Sequence, residues 1–161
     1  MKNAYSVLIR MAAILLLAAV CSLAANHWRR NPMPWNGEWS KHVEKRALQN
    51  GLKLAGIKSV REALASETAA VLDARHPADF RAGHIPGASS LPVELATDML
   101  ASMKIDLTPD QVIITYCARN DCDEGLELAL LLRRLGFNSV TLFAGGLGDW
   151  RASGGAMEGE K

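Results

Sequence analysis

Apolar positions in this chain fall into two regimes. Near the N-terminus they run together, from Met11 to Ala25, with Lys2 and Arg10 ahead of the run and no further charge until Arg29. From residue 52 onward they come in short clusters divided by turn residues. Leu52 to Ile57 predicts a short strand, and Ser59-Val60-Arg61-Glu62 is a capping box that starts a helix. Ala69 to Asp73 predicts a buried strand ending in an acid, and Pro77 opens the next helix. Gly83, Pro86 and Gly87 break the chain before a brief strand at Ser89 to Leu91, and Val93 to Met103 predicts a helix. Val112 to Tyr116 is the strongest strand, apolar and β-branched. Leu126 to Leu135 predicts a helix closed by Gly136. Val140 to Phe143 predicts a last strand, and Gly145-Gly146 introduces a final helical turn around Trp150. Strands alternating with helices predict an α/β fold with a parallel sheet covered on both faces.

The N-terminal run is too continuous for an amphipathic surface helix. A basic start followed by an apolar stretch is the pattern of an export signal, and Ser22-Leu23-Ala24 allows cleavage after Ala24. The uncharged length from Met11 to Trp28 approaches the roughly 20 residues that span a bilayer, with Tyr5 and Trp28 placed for the two interfaces. That length favours residues 1–28 as an anchor over a cleaved signal. Arg29 and Arg30 nearly balance Lys2 and Arg10, so charge alone leaves the orientation open. Residues 29–51 are expected to be linker, with two prolines, Trp35 and Trp39, and a short helix over 40–50 ended by Gly51. Residues 52–158 are then one domain.

Composition narrows the function. The chain has 161 residues, with 18 Lys+Arg against 17 Asp+Glu, a net charge of +1. Neither a whole-molecule field nor a basic stripe interleaved with aromatics favours nucleic-acid binding. Three cysteines do not make a secreted disulfide framework. Cys21 lies in the apolar run, which leaves Cys117 and Cys122, and these pair in an oxidising compartment or stay free in a reducing one. Both sit on the turn between the strongest strand and the next helix. Ligands of open α/β sheets bind at such carboxyl ends, and a helix N-terminus favours the thiolate, the nucleophilic form.

Two further segments make the domain recognisable. Val71-Leu-Asp73-Ala-Arg75-His-Pro-Ala-Asp-Phe-Arg-Ala-Gly83-His84-Ile-Pro-Gly-Ala88 resembles the front half of a rhodanese domain, and Ala144-Gly145-Gly146-Leu-Gly-Asp-Trp150 resembles its closing motif. Cys117 falls where that family places its persulfide-forming cysteine. The resemblance implies a rhodanese-like three-layer sandwich with a mainly parallel central sheet, preceded here by one N-terminal hydrophobic helix. It implies sulfur transfer: the Cys117 thiolate takes a sulfane sulfur from a small donor and passes it to a protein thiol or other acceptor, with no metal and no cofactor. The loop Ala118, Arg119, Asn120, Asp121, Cys122 and Asp123 would cradle the outer sulfur. Asp73 and Arg75 resemble the family's structural acid–base pair, His84 reads as a hydrogen-bonded structural histidine, and Trp150 as a core anchor. Gly145 and Gly146 would let the backbone approach the active loop. His42 and His76 carry no partner motif.

The loop also departs from the family. A glycine commonly sits three residues after the cysteine and an arginine five residues after it, where this chain has Asn120 and Cys122. Arg119 is the only cation in the loop, while Asp121, Asp123 and Glu124 oppose a thiolate and repel an anionic donor such as thiosulfate. Cys122 is either a small packed residue or a resolving thiol that closes a disulfide with Cys117. Besides the sulfur carrier, two readings stay open: a catalytically weak rhodanese-like module that binds or senses a partner, and thiol–disulfide cycling of the pair. Phosphatase activity needs a longer loop and a phosphate-binding arginine.

Overall fold

A computed structural model of the chain describes residues 2–29, 41–66, 69–119 and 121–159. It divides into two units, 1–38 and 39–161. In the first, the apolar run forms one helix, α1, Lys2–His27. Within it Ser6–His27 is long and apolar enough to cross a membrane, with none of that stretch buried by protein. At 1.5 Å per residue these 22 residues reach about 33 Å. The stretch long enough to span therefore begins before Met11 and takes in Arg10.

The second unit contains α2 (His42–Gln49), β1 (Lys53–Leu54), α3 (Ile57–Ser66), β2 (Ala69–Asp73), α4 (Pro77–Ala82) and β3 (Ser89–Ser90). A 3₁₀ turn at Val93–Leu95 leads into α5 (Ala96–Ala101), followed by β4 (Val112–Tyr116), α6 (Glu124–Arg134), β5 (Ser139–Phe143) and α7 (Gly146–Ala152). The five strands form one sheet in the order β1-β5-β4-β2-β3, and every strand pairing is parallel.

Strand alternation sorts the core into two layers. Leu72, Ile113, Val140 and Leu142 face a cluster completed by Val43 and Ala47 of α2, Ala96 of α5 and Leu126, Ala129 and Leu132 of α6. On the other face Val71, Ile114, Tyr116 and Phe143 pack against Val60 and Ala63 of α3, and against Leu147 and Trp150 of α7. A sheet covered on both sides explains why β2 and β4 read as continuous apolar runs rather than as an alternation. β4 lies at the centre, in register with β2 from Ala69↔Val112 to Asp73↔Tyr116 and with β5 from Val112↔Ser139 to Tyr116↔Phe143.

Local departures from the pattern reading have local causes. α3 opens at Ile57, ahead of the Ser59 capping box, because the Gly56 carbonyl already accepts the Val60 N–H at 3.2 Å. The helix expected over 93–103 is split by the 3₁₀ turn after Pro92 and ends before Met103, which has φ 49°. α6 begins two residues before Leu126, since its first turn is polar: Glu124 and Glu127 sit at its N-terminal end, Arg133 and Arg134 at its C-terminal end, complementing the macrodipole. Part of the expected linker is built into the domain, because α2 buries Val43 and Ala47. Trp35 and Trp39 lie outside the described residues.

Candidate active site

Cys117 is the first residue after the central strand β4 and is 3% exposed. The chain turns at once, the Cys122 N–H donating to the Arg119 carbonyl at 3.1 Å, and α6 starts at Glu124. This turn brings Cys117 and Cys122 together as a disulfide, with Cα atoms 6.1 Å apart, inside the usual range for such a bond. Glu124 folds back over the pair: its Oε2 lies 3.2 Å from Cys117 Sγ and 2.5 Å from Cys122 Sγ. Asn120 lies outside the described residues.

Two glycines set the loop's position. Gly125, in the first turn of α6, packs so closely that a Cβ would stand 3.1 Å from the Tyr116 carbonyl carbon and 3.2 Å from the Cys117 nitrogen. The start of the helix therefore rests directly on the Cys117 backbone, and Thr115 Oγ1 donates to the Gly125 carbonyl at 2.8 Å. Gly146 has φ 56°, and a side chain there would collide with the Cys117 carbonyl. With nothing in the way, the Leu147 N–H donates to the Cys117 carbonyl and the Gly148 N–H to the Ala118 carbonyl, both at 2.9 Å. At Gly145 the atoms nearest a Cβ position belong to the Asp149 side chain.

Beneath the loop lies a buried polar group at the ends of β2 and β4. Asp73 is fully buried, and Arg75 grips it with Nε at 2.9 and 3.1 Å and Nη2 at 2.6 Å. The same Nη2 donates to the Gly83 carbonyl at 2.8 Å, which ties β2 to the turn after α4. Burial disfavours the Arg75 charge, but the hydrogen bond and charge of Asp73 outweigh it and the pKa is raised. Removing one partner of such a pair costs about 3–5 kcal/mol. Tyr116 accepts the Ile85 N–H at 3.2 Å, and its hydroxyl is pushed above the usual phenol range, first by burial and then by the Asp73 charge. His84 stacks on Phe80 with ring centroids 3.7 Å apart, donates from Nδ1 to the Phe80 carbonyl at 2.8 Å, and joins Glu158 through an antiparallel bridge. Trp150 is 6% exposed, donates from Nε1 to the Ala156 carbonyl at 2.6 Å, and carries the Arg61 guanidinium 5.4 Å above its ring.

The mouth of the site is acidic. An open cleft beside Cys122 is lined by Glu94, Asp121, Asp123, Glu124 and Glu127, with Arg119 as its one cation among the described residues. Arg119 is already engaged with Asp121 at 3.4 Å, and Arg46 of α2 reaches Asp123 at 2.7 Å. Donor atoms of Cys117, Cys122 and Glu124 all lie within 4.8 Å of one another. Joined as a disulfide, the two sulfurs offer no thiolate to a metal.

Sequence reasoning reached the loop, both cysteines and the buried acid–base pair. It treated Glu124 only as a rim charge and gave Gly125, Arg46 and Glu94 no part in the site. Gly125 carried a signal, since a glycine inside a helix costs about 1 kcal/mol against alanine and is kept where packing needs it. Arg46 and Glu94 belong to distant segments and carried none.

Comparison with known proteins agrees with this geometry. A thiosulfate sulfurtransferase of Pseudoalteromonas translucida is 31% identical over 101 residues, covering 63% of this chain and 90% of that protein. An HTH-type transcriptional regulator of Mycobacterium tuberculosis is 33% identical over 84 residues, covering 52% of this chain, which spans only 35% of the regulator's length. A crystal structure of a Rhodanese_3-like domain from Anabaena sp. superimposes with a TM-score of 0.50 at 35% identity, covering 58% of this chain and 94% of that one. Residues 57–153 match the Rhodanese-like domain family, and the match holds α3 to α7, both glycine contacts and the whole cysteine loop. With its parallel sheet and its cysteine at the end of the central strand, the chain belongs to the rhodanese-like domain family, a sulfurtransferase-type family.

Proposed function

We propose that this chain is a membrane-anchored sulfur carrier that holds sulfane sulfur as a persulfide on Cys117. The observation that carries the reading is the seating of Cys117: it ends the central strand, its carbonyl is held by the Leu147 N–H, and the first turn of α6 rests on its backbone. A thiolate there faces the positive end of an 11-residue helix, which stabilises an anionic sulfur. The sulfur comes from a neutral or protein-bound donor in preference to thiosulfate, because the acidic mouth repels a dianion. Its acceptor is a protein thiol. The long apolar helix is the anchor, and the basic start ahead of it favours a domain on the extracytoplasmic side of a bacterial membrane.

The test uses the full-length chain in detergent, reduced with a dithiol, freed of reductant and treated with inorganic polysulfide, a small-molecule persulfide or thiosulfate. Intact mass spectrometry of Cys122→Ser is expected to show one added sulfur atom from the small-molecule persulfide, and less from the dianionic polysulfide and thiosulfate. It should lie on Cys117 and be absent from the Cys117→Ser variant. No added sulfur from any donor overturns the carrier reading in favour of a module that binds partners through the loop.

A further inference from the structure

Resting on that carrier reading, we propose that Cys122 resolves the Cys117 persulfide, with Glu124 as the general base and acid of the step. The consequence is that a persulfide not first passed to a protein thiol leaves the chain as hydrosulfide. The position five residues after the nucleophile holds a thiol, and the structure bonds that thiol to Cys117 Sγ itself. Cys122 thus reaches the inner sulfur of a persulfide, the atom at which attack expels the outer one. Glu124 Oε2 lies within hydrogen-bonding distance of both sulfurs. In the disulfide neither sulfur has a proton to donate, whereas in the dithiol or persulfide form the same carboxylate has an S–H within reach. Its placement suits the state that precedes the bond.

The step balances without another reactant. Glu124 takes the proton from Cys122, and the Cys122 thiolate attacks Cys117 Sγ. The Sγ–Sγ bond forms as the bond from Cys117 Sγ to the outer sulfur breaks. The outer sulfur leaves with the bonding pair and receives the proton held by Glu124, so a persulfide anion and a thiol become a disulfide and hydrosulfide. The two cysteine sulfurs are oxidised together by two electrons, and the sulfane sulfur is reduced to the sulfide level. Returning the pair to the dithiol needs two electrons from an external dithiol reductant, by ordinary thiol–disulfide exchange. Cys122 and Glu124 are both open to the cleft that such a reductant would enter.

The experiment loads the reduced full-length chain with one equivalent of a small-molecule persulfide and follows hydrosulfide release and the mass of the peptide containing residues 117–122. Wild type is expected to release about one hydrosulfide per chain and end as the disulfide. Cys122→Ser, and equally Cys122→Ala, should hold the added sulfur on Cys117 until a thiol is supplied. Glu124→Gln should slow disulfide closure by about 10²-fold, the usual scale of general acid–base catalysis, with Glu124→Asp recovering part of the rate. Closure in Glu124→Gln at the wild-type rate overturns the role of Glu124. A wild-type persulfide that lasts as long as that of Cys122→Ser overturns the resolution step while leaving the carrier reading standing. Absence of any added sulfur in Cys122→Ser overturns the carrier reading and the resolution step with it.

Discussion

Tyr116 ends the strand that delivers Cys117, and its hydroxyl is fully buried between the Ile85 N–H and the Asp73 carboxylate. Because its folded pKa lies above that of an exposed phenol, it stabilises the fold fully below the unfolded value of about 10 and loses that contribution as pH rises further. Tyr116→Phe is expected to cost about 1–3 kcal/mol at pH 7, since the Ile85 N–H is left without its acceptor. The difference between wild type and variant should then shrink above about pH 10. Urea unfolding at a series of pH values measures it, and parallel profiles would show that the hydroxyl is not the linked group. Side chains of this kind are partly legible in sequence. Asp73 stands out because an acid closes an apolar strand, and Arg75 lies within reach two residues on. Tyr116 does not, since a tyrosine at a strand end reads equally well as surface or core until β2 is laid beside β4 in register.

Elements were more legible than their ends. β2 and β4 have the bounds that their apolar runs predict, because a strand buried on both faces cannot admit a polar residue without a partner. β1 shrinks to Lys53–Leu54, at the sheet edge, where pairing exists on one side only. The small residues between elements matter most where two backbones meet. Gly146 is the point at which α7 docks on the cysteine loop. There Gly146→Ala adds both an unfavourable φ and a collision with the Cys117 carbonyl. The variant is expected to lose about 1–3 kcal/mol of stability. Its Cys117 should also be modified by iodoacetamide at a rate different from wild type in the reduced chain. Gly154→Ala shares the positive φ but has open space around its Cβ position. It provides the comparison, and equal losses in the two would remove the contact with the loop from the explanation.

At the scale of the whole molecule, net charge hides the feature that governs what enters. The chain is almost neutral, yet carboxylates from the turn before α5, the cysteine loop and α6 converge on one cleft. No window of sequence contains that convergence, because Glu94 and Glu127 are brought together only by the crossover between β3 and β4. Neutralising Asp121 and Glu127 together, as Asp121→Asn with Glu127→Gln, is expected to raise kcat/KM for thiosulfate about tenfold at low salt. The gain should fade at high ionic strength as screening removes the repulsion it relieves. An unchanged rate at low salt would mean that charge at the mouth does not select the donor.

The hold of residues 147 and 148 on the carbonyls of Cys117 and Ala118 also has a meaning in time. Synthesis proceeds from the N-terminus, so the central strand and its cysteine emerge well before the segment that seats them. Until α7 docks, the Cys117 backbone lacks that hold, and a chain ending ahead of Gly146 would keep the cysteine without the clamp. Completion of the polypeptide thus becomes a condition for seating the cysteine loop. The chain makes its cysteine some time before it holds that cysteine's backbone in place.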